Sequence, residues 1–174
     1  MEGVPFMKPA LLVQDIQNVW LYEPDSNQGL RRSVERRLDL INEALAWFRK
    51  RRLPIIVGYT IDKEIGLLPG SWSFEVPETV KIRKTDSKVT KLHASAFANP
   101  DLGTLLRRKG CDTLVIVGLS ASGCVLATYF GALDWDIQPY VLKGGVASAK
   151  EKHVRFAEEI CDTVTLKDLE GKLR

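Results

Sequence analysis

The sequence TLVIVGLSASGC at residues 113–124 decides the fold of this chain. Its first part, residues 113–119, is an almost continuous apolar run, which is typical of a strand buried on both faces of a parallel sheet. Small residues follow, where the backbone can turn tightly. The segment 124–133 is apolar nearly all round, which predicts a buried helix. A buried strand that leads directly into a buried helix indicates the strand–helix unit of α/β folds.

The same alternation extends outward along the chain in both directions. Further strands are predicted at residues 10–13, 54–60, 88–91, 137–142 and 163–166. Further helices are predicted at about residues 30–52, 102–108 and 154–160. Pro139 indicates a bulge in the fifth strand or a position near a sheet edge. Strands and helices in alternation require crossover connections, so we predict an α/β fold with a mostly parallel sheet.

The composition indicates one globular domain over residues 1–174. The chain is 45% hydrophobic and 27% charged, and it is long enough for one full core. The net charge is only +3. The basic run at residues 49–52 lies at a predicted helix end, where cations complement the helix dipole. No aromatic stacking motif accompanies this run, so we do not expect a nucleic-acid partner.

Several features of the sequence favour a cytoplasmic protein. Residues 1–9 lack the charged start and long apolar stretch of a signal peptide. No apolar run approaches the roughly 20 residues of a membrane span, so no membrane partner is expected. Cys111, Cys124 and Cys161 are odd in number and form no CxxC pair. This pattern argues against a disulfide framework and for a reducing compartment.

Three polar residues follow predicted strands. Asp15 follows the first strand, Lys91 ends the third, and Cys124 opens the helix after the fourth. The carboxyl ends of parallel strands share one edge of the sheet, and ligand sites of such sheets lie beyond that edge. We therefore expect these three side chains to converge.

Cys124 is the candidate nucleophile. The N-terminus of its helix directs unpaired N–H groups toward the preceding turn. Their positive potential predicts a lowered pKa for the thiol, and the thiolate is the reactive form. The alternative is that Cys124 is a small core residue. We favour that alternative for Cys111 and Cys161, because neither follows such a turn.

Asp15 and Lys91 are the candidate partners of the thiol. A carboxylate at the end of a buried strand needs a partner or a task, and Asp15 could accept the thiol proton and return it to a leaving amine. The alternative is a capping or turn aspartate. Lys91 could hold Asp15 and stabilise a thiolate, although an isolated lysine is usually solvated.

Other catalytic patterns are weaker. His93 and His153 lie far apart in sequence and lack metal-ligand spacing. A dyad of Cys124 with His93 stays open but has no local support. The sequence contains neither GxGxxG nor a P-loop lysine motif. We expect no cofactor.

Three segments together resemble the isochorismatase-like cysteine hydrolases. They are ALLVQDIQN at residues 10–18, KLHASAF at residues 91–97 and VGLSASGCV at residues 117–125. They resemble the family's opening strand with its Asp-x-Gln motif, its Lys-x-x-x-Ser-Ala-Phe segment and its cysteine turn. The resemblance extends over about residues 8–168.

The resemblance implies a three-layer αβα sandwich with a six-stranded sheet. It implies a catalytic triad of Asp15, Lys91 and Cys124 that cleaves a carbon–nitrogen bond through a thioester. The substrate class is then a small amide, ureide or carbamoyl compound. The family also implies a homo-oligomer, either a dimer or a tetramer.

The cysteine turn carries further implications of the resemblance. A cis peptide bond is expected between Leu119 and Ser120. Backbone N–H groups of the turn, which includes Gly123, are expected to stabilise an oxyanion. The Ser-Gly-Cys form of the turn is most similar to carbamoylsarcosine amidase-like members.

The sequence departs from the family pattern at several positions. Family amidases that act on nicotinamide bind a metal through an aspartate and histidines, but no histidine occurs between Thr60 and His93. We therefore expect neither a catalytic metal nor nicotinamide as substrate. Ala121 stands where many members have threonine, which alters hydrogen bonds of the turn. Gly144 stands where many have an aspartate after the fifth strand, which alters a helix cap.

Aromatic residues are candidates for the rim of the pocket. They are Trp20, Tyr22, Trp72 and Phe97. Core packing or a subunit contact is the equally weighted alternative for each. The segment 62–77 is rich in Gly, Pro and Ser, and we interpret it as a long excursion over the site.

Two other functions stay open at this point. An isochorismatase-like hydrolase of a vinyl ether would not need the cysteine. A non-catalytic binding protein on the same fold would have a Cys124 no more reactive than Cys111 or Cys161.

Overall fold

The computed structural model describes residues 7–173, which form a six-stranded, all-parallel sheet with helices on both faces. The strands are β1 Pro9–Gln14, β2 Ile55–Thr60, β3 Ser87–Lys91, β4 Thr113–Leu119, β5 Gln138–Ala147 and β6 Thr163–Val164. The helices are α1 Asn18–Leu21, α2 Gln28–Glu35, α3 Leu38–Lys50, α4 Asp101–Arg108, α5 Leu126–Leu133, α6 Glu151–Ile160 and α7 Leu166–Glu170. No helix within residues 7–173 is long and apolar enough to cross a membrane.

The strands lie in the order β3-β2-β1-β4-β5-β6, so β1 and β4 are central. Val13 of β1 pairs with Val57 of β2 on one side and with Val117 of β4 on the other. All residues of β1 and β4 are buried, because helices cover both faces. The apolar runs in the sequence therefore predicted these strands correctly.

Each face of the sheet has its own core. One core joins Leu11 and Val13 to the apolar side of α3, including Leu45 and Phe48. The other joins alternate residues such as Leu12 to α4, α5 and α6. Alternation along the strands sends successive side chains to opposite faces. The result is the three-layer αβα sandwich, which confirms the predicted fold class.

The helix predicted over residues 30–52 is two helices, α2 and α3, so the prediction of one helix was wrong. The break lies at Arg36 and Arg37. In a continuous helix the Arg37 N–H would donate to the Ser33 carbonyl. Here the Arg37 guanidinium donates to that carbonyl at 2.9 Å, and the Arg37 N–H donates to the Val34 carbonyl instead. The same guanidinium reaches Glu151 of α6 at 2.6 Å, which holds it in place.

The fifth and sixth strands also differ from prediction. β5 continues to Ala147 and is an inner strand, and its register against β4 shifts in its second half. Pro139 lies before the pairing of β5 with β6 begins at Val141, so its missing N–H interrupts no strand pairing. β6 ends at Val164, because Thr165 caps α7 with its side chain.

Two glutamines at the end of the first strand differ in the hydrogen bonding of their side chains. Gln14 and Gln17 are both fully buried. The Gln17 amide is hydrogen-bonded to Thr60 and Phe74, as described below. Both polar atoms of the Gln14 side chain lack a hydrogen-bond partner among residues 7–173. A buried amide without a partner costs free energy, whereas a bonded one stabilises the fold.

We therefore expect the same substitution to have opposite effects at the two glutamines. Gln14→Met removes an unpaired amide at similar volume and should raise the free energy of unfolding by about 1 kcal/mol. Gln17→Met leaves backbone groups unpaired and should lower it by about 1–3 kcal/mol. Urea unfolding followed by circular dichroism measures both. Destabilisation of similar size by both variants would contradict this assignment.

Candidate active site

The three polar residues that follow the strands meet at the carboxyl edge of the sheet. The Lys91 Nζ atom lies 2.9 Å from Asp15 Oδ2 and 3.5 Å from Cys124 Sγ. The side chains of Asp15 and Lys91 are each only 3% exposed, so their ion pair is buried. Cys124 is half-buried. The predicted convergence is therefore present.

The backbone conformation of Asp15 ends the alternation of side chains along β1. Its φ is 56°, in the left-handed region that aspartate tolerates better than most residues. Its N–H donates to the Gly58 carbonyl of β2, and its own carbonyl accepts from the Gln17 N–H. These bonds fix the turn at the end of β1.

The turn that carries Cys124 has an irregular backbone. The peptide bond between Leu119 and Ser120 is cis, as the family resemblance implied. Residues 121–125 form a π-helical turn that leads into α5, so Cys124 lies inside this turn and the α-helix predicted from residue 124 begins at Leu126. The Ser120 carbonyl accepts from the N–H groups of Gly123 and Val125. π-Helical turns occur frequently at functional sites.

Gly118 permits the close approach of β1 beneath this turn. Its φ is +117°, and a Cβ atom built at this position would lie 2.1 Å from the Gln14 carbonyl oxygen. Only glycine fits such an approach.

Thr60 is a site residue that the sequence analysis missed. It ends β2 in register with Lys91 of β3. Its hydroxyl donates to Asp15 Oδ1 at 2.9 Å and accepts from Lys91 Nζ at 2.9 Å. A polar residue at the end of a predicted strand, like Asp15 and Lys91, was the available signal. Threonine is also an ordinary strand residue, so this signal was not distinctive.

Residues 9–163 match the family profile described as "Isochorismatase domain". The chain belongs to the isochorismatase family. A protein of Pseudomonas chlororaphis named "Probable isochorismatase" is 27% identical over 179 residues, which cover 92% of this chain and 84% of that protein. The family predicted from the three motifs is thus confirmed.

Solved structures with the same fold include two that bear on this family member. An isochorismatase-like hydrolase from Alkaliphilus metalliredigens has a TM-score of 0.80 at 22% identity, covering 94% of this chain and 98% of the other. N-carbamoylsarcosine amidase from Thermoplasma acidophilum has a TM-score of 0.76 at 24% identity, covering 91% and 95%. Identities this low show the fold alone. The family comprises hydrolases, and amidases are among them.

The electrostatics of this isochorismatase-family site correct one prediction. Burial raises the pKa of the Cys124 thiol, and the charge of Asp15 raises it further, while Lys91 opposes both. The expected lowering by the helix N-terminus was therefore wrong. Burial also raises the pKa of Asp15, and Lys91 and Thr60 counteract that rise. The thiol hydrogen-bonds to Asp15, so the proton rests on sulfur beside its acceptor.

The four aromatic residues predicted for the pocket rim lie in different surroundings. Trp20 and Tyr22 pack against the first core, and Trp72 is 59% exposed on the 62–77 segment. Phe97 lies in the second core with its ring 6.3 Å from that of Trp135, which agrees with the core-packing alternative.

A cavity of about 430 Å³ adjoins Lys91, and none of these four aromatic residues is part of its lining. It is lined by Ile61, Lys63, Thr90, Lys91, Leu92, His93, Ala98, Asn99 and Pro100. Lysine and histidine side chains give this lining a basic character, and no acidic side chain belongs to it.

The structure also places the other residues that the sequence analysis discussed, His93, Ala121 and Gly144. The His93 carbonyl accepts from Lys91 Nζ at 3.1 Å, while the residue itself is exposed. Ala121 is fully buried in the second core. Gly144 lies inside β5 with φ +79°, and its N–H donates to Glu158 of α6, so it does not follow the strand as predicted. Within residues 7–173 no three His, Cys, Asp or Glu side chains form a potential metal-ligand group.

These electrostatics predict how Cys124 reacts with iodoacetamide. In the wild-type protein we expect slow labelling near about pH 6.5, since only the thiolate reacts. Asp15→Asn removes the negative charge that raises the thiol pKa, so the pH profile of labelling should move to lower pH. Lys91→Met removes the opposing cation and should move it to higher pH. Mass spectrometry at each cysteine measures the rates.

Cys111 and Cys161 serve as internal controls in the same samples. Each is only 5% exposed, and burial raises the pKa of both thiols, that of Cys161 to about 11. Their labelling profiles should not respond to either substitution. An unchanged Cys124 profile in Asp15→Asn would show that the carboxylate does not act on the thiol.

Proposed function

We propose that this protein is a cysteine-dependent hydrolase of a carbon–nitrogen bond in a small amide, ureide or carbamoyl compound. The observation that carries the proposal is the contact of Lys91 Nζ with both Asp15 and Cys124 at the carboxyl edge of the sheet. Together these side chains supply a nucleophile, a proton acceptor and a cation that balances the charge of both.

The first half of the proposed reaction forms a thioester. Asp15 takes the proton from Cys124 as the sulfur attacks the carbonyl carbon. Because the thiol pKa is raised, proton transfer accompanies the attack and no permanent thiolate is required. The carbon–nitrogen bond then breaks, and the departing nitrogen takes the proton from Asp15.

The second half of the reaction restores the enzyme. Asp15 accepts a proton from water while the water oxygen attacks the thioester carbon. The carbon–sulfur bond breaks, and the proton returns from Asp15 to the Cys124 sulfur. Lys91 keeps its charge throughout, because it acts by position and not by transfer.

Backbone N–H groups beside Ser120 and Cys124 are the proposed donors to the oxyanion of both tetrahedral intermediates. The Gly123 N–H already donates to the Ser120 carbonyl. Gly123 therefore contributes by keeping the turn small, which lets a substrate approach the sulfur.

Relatives with amidase names support this proposal. N-carbamoylsarcosine amidase from Thermoplasma acidophilum shares the fold, and ureidoacrylate amidohydrolase from Acinetobacter baylyi is 35% identical over 77 residues. That alignment covers 39% of this chain and 31% of the relative. We expect a small-molecule substrate and a homo-oligomer from the same family resemblance. The three cysteines without a CxxC pair favour a cytoplasmic location.

Ether hydrolysis is the second candidate, favoured by the name "Probable isochorismatase" of the relative from Pseudomonas chlororaphis. This reaction does not require a nucleophilic sulfur. The two candidates therefore differ in what removal of the Cys124 thiol does to turnover.

The decisive experiment compares two cysteine substitutions on a panel of small amides, ureides and carbamoyl compounds. Cys124→Ala should lower kcat for release of ammonia or amine by at least about 1,000-fold, because the nucleophile is lost. Cys111→Ala, at a buried cysteine outside the site, should keep wild-type turnover. Hydroxylamine should trap the thioester of the wild-type enzyme as a hydroxamate.

Two outcomes would contradict the proposal. If Cys124→Ala retains most of the activity, or if only a vinyl ether such as isochorismate is cleaved, ether hydrolysis is the better assignment. If the wild-type protein hydrolyses no member of the panel, the amidase proposal is withdrawn.

A further inference from the structure

The Thr60 hydroxyl links Lys91 to Asp15 through two hydrogen bonds whose direction is fixed. Lys91 is a cation with donors only, so its 2.9 Å contact with Thr60 Oγ1 must use the hydroxyl oxygen as acceptor. The single hydroxyl hydrogen is then directed to Asp15 Oδ1, at 2.9 Å. A hydroxyl that accepts from the cation and donates to the carboxylate connects them in one sense only.

Gln17 holds the peptide groups of Thr60 in place. The Gln17 side-chain oxygen accepts from the Thr60 N–H at 2.9 Å, and its nitrogen donates to the Thr60 carbonyl at 3.0 Å. The same nitrogen donates to the Phe74 carbonyl at 3.1 Å. Gln17 is fully buried, so water does not compete for these bonds. These bonds fix the backbone of Thr60 beside Asp15, and the contacts with Asp15 and Lys91 orient its hydroxyl.

We propose that Thr60 is a positioning residue that keeps the Asp15 carboxylate ionised and oriented to receive the Cys124 proton. This inference rests on the proposed function for its role in turnover. Its effect on Asp15 is a property of the free protein and can be measured without any substrate.

The groups that face Asp15 set the expected direction. They are Lys91 from β3, Cys124 from the cysteine turn and Thr60 from β2. Burial raises the pKa of Asp15, and the Thr60 hydrogen bond is one of the interactions that lower it. Removing that bond therefore raises the pKa of Asp15. Asp15 must be ionised to accept a proton, so the acidic limb of activity moves to higher pH.

The test is a carboxyl ¹³C NMR titration of the aspartate-labelled protein, with Asp15→Asn to assign the Asp15 signal. Thr60→Val keeps the shape but removes the hydroxyl, so the Asp15 titration should move to higher pH. Thr60→Ser keeps the hydroxyl and should return the titration toward that of the wild type. Thr60→Ala gives the same comparison if the valine variant does not fold.

Kinetics provide a second measurement once a substrate is known. Thr60→Val should lower kcat by about 10- to 100-fold, as expected for loss of a hydrogen bond to a charged group, with KM nearly unchanged. The acidic limb of kcat/KM should move to higher pH, and Thr60→Ser should restore both parameters. A merely structural role would lower activity equally at every pH.

An Asp15 titration that is the same in Thr60→Val and wild type would overturn the proposal. So would a Thr60→Ser variant that behaves like the valine variant. Failure of the proposed function has a different signature, namely a wild-type protein that hydrolyses no amide while the NMR titration still responds to Thr60.

Discussion

The buried ion pair of Asp15 and Lys91 is the constraint on which the site depends. Removing a charge from water costs on the order of several kcal/mol. Hydrogen bonds to the two charged groups offset this cost. Here Thr60 bonds to both charged groups, and the His93 carbonyl accepts from the lysine. The register of β2 and β3 places Thr60 directly beside Lys91. The parallel sheet therefore both positions the ion pair and supplies the groups that make its burial tolerable.

Burial and the same ion pair together determine the resting state of Cys124. Burial raises the pKa of the thiol, the charge of Asp15 raises it further, and the charge of Lys91 opposes both. The helix N-terminus, which by itself would favour a thiolate, does not prevail in these surroundings. A protonated thiol beside its own base is suited to a reaction in which proton transfer and attack occur together. It also makes the free cysteine less exposed to unspecific reaction, since the thiolate is the reactive form.

Both central strands end in irregular backbone at their carboxyl ends. β1 ends in the left-handed conformation of Asp15, and β4 leads through Gly118 into the cis peptide bond and the π-helical turn. The polar residues after β1 then fasten the 62–77 segment: Gln17 bonds to Phe74, and Asn18 bonds to the Trp72 carbonyl at 2.8 Å. The segment interpreted from its composition as an excursion over the site is thus tied to the strand that carries Asp15.

The sequence by itself determined the strands, the α/β class and the three polar residues of the site. Strands covered on both faces must be apolar almost throughout, and side chains that follow parallel strands must meet at one edge. Thr60 could not be recognised, because a threonine in a strand has no feature that reveals a charged neighbour. The break before α3 depends on the reach of Arg37 to a residue 114 positions away, and the raised pKa of Cys124 depends on its burial and on the charge of Asp15. Only the tertiary structure decided these points, since each arises from distances between segments that are remote in sequence.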